Sequence, residues 1–330
     1  MVELRCPSAG MKLPCMIGER AATVRVMGTE TASEQKRRQL LEFTLRELAP
    51  HDAVRGVVAT GSVAIGRARA GTDTVPGSDI DAVVFMYPLD LYLCPAEFVW
   101  RPSDNTYHSI FADDPELDRV GTQLDLDRLD LSTWQSSGFD WPEPRRAELA
   151  DGWIAYDPGG EIEQLITART GMSDAQQLAI LDETIGLAGW VIPDGDAQSH
   201  WNKLGDIEAF DRLQAGYQEL TRALFTYHRK WRPWRSRELR GLQNLDWLPA
   251  GYRSDPAALI APDGHDFPAY RRRAAALRDA LNELMARLQA TGIYGNDPDS
   301  ESFLRLHDEP GRAWNMDAWN AEHSLRLSRP

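Results

Sequence analysis

Residues Thr60–Met86 read TGSVAIGRARAGTDTVPGSDIDAVVFM, and two aspartates, Asp79 and Asp81, stand at the mouth of the apolar run that closes the stretch. The unbroken apolar character after Asp81 is that of a strand buried on both faces. Residues two apart on a strand share a face, so Asp79 and Asp81 project together while Ile80 turns toward a core. Two carboxylates so close repel one another unless a cation or a shared proton neutralises them. A hard divalent ion such as Mg²⁺, which takes oxygen ligands and keeps several waters, suits the pair. Upstream, VRGVVATGS (54–62) reads as a short buried strand ending in glycine. Gly61 and Ser62 then allow backbone amides and a hydroxyl to come close to a phosphate.

Outward from this stretch, TASEQKRRQLLEFTLRELAP predicts a helix over 33–48, with Leu40, Leu41, Phe43, Leu45 and Leu48 on its apolar face. EFVWRPSDNTYHSIF predicts a hairpin, and GWIAYDPGG a further strand leading into a turn. GTQLDLDRLDLSTW alternates Leu and Asp, so Asp125 and Asp127 share one strand face. If that strand lies beside 79–84, one of the two carboxylates joins Asp79 and Asp81. Two ions held there would activate a hydroxyl and stabilise a leaving pyrophosphate. From Glu161 to about Gln289 helical periodicity dominates, and the last forty residues are polar, aromatic and weakly patterned. Strands first and helices afterwards predict an α+β fold: a mixed sheet with flanking helices over 1–160, with 1–30 as an extension, and an all-α domain over 161–330.

The chain has 330 residues, a net charge of −14 and only four lysines, Lys12, Lys36, Lys203 and Lys230. Such a surface disfavours nucleic acid and favours cationic small molecules. Cys6, Cys15 and Cys94 form no metal or disulfide pattern, and no clean leader or membrane-length apolar run is present, so a cytoplasmic setting with reduced thiols is expected. TRALFTYHRKWRPWRSRELR, read as a helix, inverts the local sign with seven basic residues against Glu238. The plainer reading is a solvated face; the sharper one has one or two of these residues reach a phosphate. An acidic stretch including Asp104, Asp113, Asp114, Glu116 and Asp118 reads as a solvated loop or as a rim that attracts cations. Trp134, Trp231 and Trp234 are candidates to stack on a base or sugar, while His108 and His228 say little alone.

Gly-Ser, a spacer, Asp-Ile-Asp on a strand and an acid on a later strand resemble the nucleotidyltransferase superfamily of the polymerase-beta type. GWIAYDPGG and LTRALFTYHRKWRP are similar in layout to the bacterial small-molecule branch with a helical C-terminal domain, the aminoglycoside adenylyltransferases. The resemblance implies that Asp79 and Asp81 bind Mg²⁺ and that Gly61 and Ser62 hold the triphosphate. It implies that Asp125 is third ligand and base, with Asp127 as the alternative. It also implies that the helical domain supplies a basic residue to the nucleotide, for which Lys230 and Arg229 are chosen over Lys203. The expected reaction moves a nucleoside monophosphate, AMP by default, from a triphosphate such as ATP to a hydroxyl of a small molecule. The rivals are a cyclic-oligonucleotide synthase, an RNA nucleotidyltransferase and a non-catalytic antitoxin-type module. The sixteen residues between Ser62 and Asp79 make a longer spacer than the family pattern and extend the loop over the nucleotide.

Overall fold

The strand pair that brackets the opening stretch is Val54–Ala59 (β1) and Ile80–Met86 (β2), antiparallel, with Val57 opposite Val84. The structure, a computed structural model, describes residues 30–72, 77–112, 121–306 and 321. Within these, Glu97–Arg101 (β3), Thr106–His108 (β4), Thr122–Asp130 (β5) and Trp153–Tyr156 (β6) complete a six-stranded sheet of order β4-β3-β5-β2-β1-β6. The expected hairpin is β3–β4, with Val99 opposite His108. Only β2 and β5 run parallel; every other neighbouring pair is antiparallel.

Both faces of this mixed sheet are covered, which is why β2 reads as an unbroken apolar run. Ile80, Ala82, Val84 and Met86 join Leu40 and Phe43 of the helix Ala32–Phe43 (α1), whose last turns continue as a π-helical segment, Thr44–Leu48. Val58, Val83 and Phe85 face the other way. They meet Leu131 of Leu131–Gln135 (α3), Leu149 of Glu143–Ala150 (α4), and Ile162 and Ile166 of Glu161–Thr170 (α5). The short turn of helix Gly61–Ala64 (α2) follows β1 directly.

The helical half comprises Asp174–Val191 (α6), Ala197–Tyr227 (α7), Arg235–Gln243 (α8), Ala250–Ser254 (α9), Pro256–Ile260 (α10), Phe267–Ala290 (α11) and Pro298–Leu306 (α12). Its start is local chemistry. The Ser173 hydroxyl accepts from Gln176 N at 3.2 Å and the Gln176 side chain accepts from Ser173 N at 3.1 Å, the reciprocal cap that the sequence SDAQ encodes. Leu181, Ile185, Leu213, Leu220, Leu277 and Leu281 bury a separate core from that of the sheet. The described residues from Ala32 onward form one compact unit containing both cores.

The basic stretch read as one helix is instead broken. The helix ends at Tyr227, Arg229 adopts a left-handed φ of +55°, and Pro233, which has no N–H to donate, precedes the new helix at Arg235. The break turns α8 back toward the sheet. Arg222 Nε donates to Glu143 at 2.7 Å, and Trp231 Nε1 donates to the Thr170 carbonyl at 2.7 Å, which hold the segment there. Among the described residues no helix is long and apolar enough to cross a membrane.

Candidate active site

The parallel register sets Asp81 beside Asp125 and Ile80 beside Leu124. The alternation that buries Ile80 and Leu124 against α1 therefore turns the aspartates to the opposite face. One oxygen from each of Asp79, Asp81 and Asp125 lies within 4.8 Å of the others, and among the described residues no other group of three possible ligands is so arranged. The three are half-buried. Burial first, and then Asp79, pushes the Asp81 carboxyl up to about 6, while Arg237 acts against the shift. Burial also raises Asp125, against hydrogen bonds from the Gln123 amide at 3.1 and 3.4 Å. Crowded, partly desolvated carboxylate oxygens are the donor set that a hard divalent cation neutralises, so the residues fit Mg²⁺.

Asp127 shares the strand face but not the cluster. Its carboxylate is 59% exposed and accepts from Arg145 Nη2 at 2.6 Å. Asp125→Asn is therefore expected to weaken Mn²⁺ binding at least about 30-fold, as loss of a charged ligand does, and Asp127→Asn less than about threefold. Isothermal titration of the two variants checks this; equal losses would return Asp127 to the ligand set.

Thr60 N closes the β1–β2 ladder on the Asp81 carbonyl at 2.9 Å, and the chain then turns at Gly61 with φ +62°. A Cβ at Gly61 would meet Asp81 Oδ2 at 2.3 Å, so only glycine lets the loop pass the carboxylate. Arg37 of α1 holds the following turn, its Nε donating to the Val63 carbonyl at 3.1 Å and its Nη2 to that of Ala64. Ser33 Oγ accepts from Ala68 N at 2.9 Å, which straps the start of the long spacer to the same helix. Lys36 on α1 is half-buried: desolvation lowers its pKa and the nearby Asp79 opposes that.

A cavity of about 910 Å³ opens in front of the carboxylates. Gly61, Ser62, Asp79 and Asp81 line its sheet side, Arg67 and Arg69 enter from the spacer, and Lys230, Arg237 and Arg240 enter from the helical half. Arg229 also lines it, but its guanidinium is engaged by Asp174 and donates to the Met172 carbonyl at 3.1 Å. Among the described residues Arg67, Arg69, Lys230 and Arg240 have no carboxylate partner; Arg67 instead donates to Asn244 at 3.0 Å. Among the described residues Arg237 is the basic residue paired with the clustered aspartates, with Nη2 at 3.3 Å from Asp81 and Nη1 at 3.5 Å from Glu148. Trp231 and Trp234 both line the cavity, the largely buried Trp231 also packing under the Arg146 guanidinium, while Trp134 packs among Phe85, Phe139 and Trp141. Lys203 is exposed on α7 away from the cavity. His228, whose burial lowers its pKa, contacts the Trp247 carbonyl, and His108 contacts Thr106. Cys6, Cys15, Asp113, Asp114, Glu116 and Asp118 lie outside the described residues; Asp104 accepts from Thr106 at 2.8 Å and pairs with Arg101.

Sequence reading passed over Arg67, Arg69 and Glu148. For the arginines the signal was present: GRARAG places two of them in the spacer between the Gly61–Ser62 turn and the aspartates. Glu148 sits on α4, whose Pro142-Glu143-Pro144 start marks a helix N-terminus that went unread.

The raised Asp81 has a signed consequence. Its folded pKa stands above the ordinary carboxylate value, so between that value and about pH 6 the folded state holds more protons than the unfolded state. The Asp81 contribution to the stability of the metal-free protein is expected to be highest at the acid end of this window and to fall as pH rises through it. Melting curves in chelator from pH 4.5 to 7 check this, and the Asp81-dependent part of the slope disappears in Asp81→Asn.

No family model matches the chain, and no curated protein does. The solved structure of a nucleotidyltransferase-like protein from Exiguobacterium sibiricum 255-15 is similar over 84% of this chain and 83% of that one, at 11% identity and a TM-score of 0.40.

Proposed function

We propose that the chain is a Mg²⁺-dependent nucleotidyltransferase that moves a nucleoside monophosphate, AMP by default, from a nucleoside triphosphate to a hydroxyl of a small molecule, with release of pyrophosphate. One observation carries the reading: three carboxylates converge beside a cavity whose other walls bear Arg67, Arg69, Lys230 and Arg240, which lack carboxylate partners among the described residues. A cation site next to an anion site is what a metal-bound triphosphate requires.

Asp79, Asp81 and Asp125 would hold the metal, as two ions in the full site. Bound Mg²⁺ supplies positive charge to the phosphoryl oxygens and acidifies the attacking hydroxyl. The side chains do the remaining work. Asp125 would accept the acceptor's proton, as a carboxylate within reach of the hydroxyl can. Gly61 and Ser62 support the β- and γ-phosphates, and Lys230, or Arg229 once released from Asp174, offsets the charge that develops on them. Asp151, exposed on the cavity wall just past α4, suits an acceptor that carries amines, such as an aminoglycoside-like antibiotic or a biosynthetic intermediate.

Incubation with Mg²⁺, each labelled triphosphate and a panel of hydroxyl- and amine-bearing small molecules tests the reading. Label transfer is expected and is lost in Asp79→Ala. A product made of nucleotide alone would move the assignment to a cyclic-oligonucleotide synthase. Absence of both transfer and Mg²⁺-dependent nucleotide binding would remove it.

A further inference from the structure

We propose that Arg237 is an internal cation that neutralises Asp81 until a divalent ion takes its place, and that the displaced guanidinium then turns to the anion in the cavity. Arg237 Nη2 lies 3.3 Å from Asp81 Oδ2, so the guanidinium and an incoming ion compete for one carboxylate. The contact sits at the start of the phosphate loop: a Cβ on Gly61 would be 2.3 Å from that same oxygen and 3.1 Å from Nη2. Loop backbone, carboxylate and guanidinium thus share one point.

The other end of the fork is held independently. Nη1 lies 3.5 Å from Glu148, a carboxylate only 10% exposed. Glu148 is fixed by Arg145 Nη1 at 2.8 Å and by Trp234 Nε1 at 3.3 Å, and Arg145 in turn is fixed by Asp127 at 2.6 Å. When Asp81 turns to a metal, Glu148 keeps the guanidinium in the cavity. Arg237 is 42% exposed, so no packing has to break for it to move. Arg67, Arg69, Lys230 and Arg240 line the same cavity, so the Arg237 charge, once it has left Asp81, is best placed beside an anion. Metal and anion therefore each favour the other's binding through one side chain, and that coupling is reciprocal. This gives the otherwise peripheral Asp127 a positioning role, through Arg145 and Glu148.

The metal half of the proposal rests only on the carboxylate cluster; the anion half rests on the nucleotidyltransferase reading. Mn²⁺ is titrated into the metal-free protein and free Mn²⁺ is followed by electron paramagnetic resonance. Arg237→Gln is expected to tighten Mn²⁺ about fivefold, the scale of a partly exposed charge in contact. Arg240→Gln, which removes the same charge from the same cavity without touching Asp81, is expected to change it less than about twofold. At saturating Mn²⁺, Arg237→Gln is expected to weaken a nonhydrolysable triphosphate about tenfold, as loss of a charge-assisted contact does. Opposite signs on two ligands from one substitution are the signature. Unchanged or weaker Mn²⁺ binding in Arg237→Gln, or equal tightening in Arg240→Gln, overturns the exchange while the wild type still binds Mn²⁺ through Asp125. Failure of both wild type and Arg237→Gln to bind Mn²⁺ overturns the metal site itself. Tighter Mn²⁺ with unchanged triphosphate affinity overturns the second half.

Discussion

Asp81→Asn is expected to reduce label transfer by at least about 10³-fold and, at the same time, to raise the melting temperature of the metal-free protein. The substitution keeps the shape of the side chain and one acceptor oxygen but removes the charge. In the metal-free protein that charge is a burden: burial and Asp79 together push the carboxyl up to about 6, and above that pH the ionised group costs the fold free energy. Arg237 relieves only part of it, from a half-exposed position at 3.3 Å. Under the proposed function the same charge binds the metal, so what destabilises the empty protein is what the reaction needs. Mg²⁺ is therefore expected to raise the melting temperature of the wild type at pH 7.5 and to leave that of the variant unchanged. Retained transfer would take Asp81 out of the metal set. A lower melting temperature in chelator would mean that the Arg237 pair outweighs the repulsion.

Gly61→Ala is the second substitution with a large expected effect, and it acts through the backbone. At φ +62° an alanine is strained by about 1 kcal/mol, and its Cβ would fall 2.3 Å from Asp81 Oδ2. Something must shift, and both partners of the clash belong to the site. Transfer is expected to fall at least about 10²-fold, the cost of misplacing reacting groups by about 1 Å. Gly66→Ala is the matched control. Its φ is +73°, but a Cβ there meets nothing within 4 Å, so it carries the backbone strain without the clash. The control is expected to lose about 1 kcal/mol of stability and to keep its activity. Denaturant melts and transfer rates of the two variants separate strain from steric displacement. Equal activity losses would show that loop strain, not the approach to Asp81, is what matters.

The helix over 33–48, the hairpin, β2, β5, β6 and the helical second half were legible because each depends on a period or a cap contained within a few residues. The π-helical end at Thr44–Leu48 was not, since nothing in TLREL distinguishes five-residue from four-residue hydrogen bonding. The break after Tyr227 was missed because the apolar and basic pattern ran on through it, although Pro233 was in plain sight. Lys230 and Arg229, chosen because the family resemblance implies a basic residue from the helical domain, both line the cavity. Arg237 was one of seven similar basic residues, and nothing local separates it from Arg235 or Arg240.

By itself the sequence determined that Asp79 and Asp81 face one way and Ile80 the other, because alternation along a strand is a property of the chain alone. It also determined that Gly61 follows a strand and that Asp125 and Asp127 share a face. Only the tertiary structure shows which of those last two stands beside Asp81. The parallel register of β2 and β5 sets Asp125 beside Asp81, while Arg145, arriving from α4, takes Asp127. It also brought Arg237 to Asp81 from 156 residues away. Register and cross-cavity distance are fixed by how two cores pack and where a helix breaks, and no window of a few residues contains either.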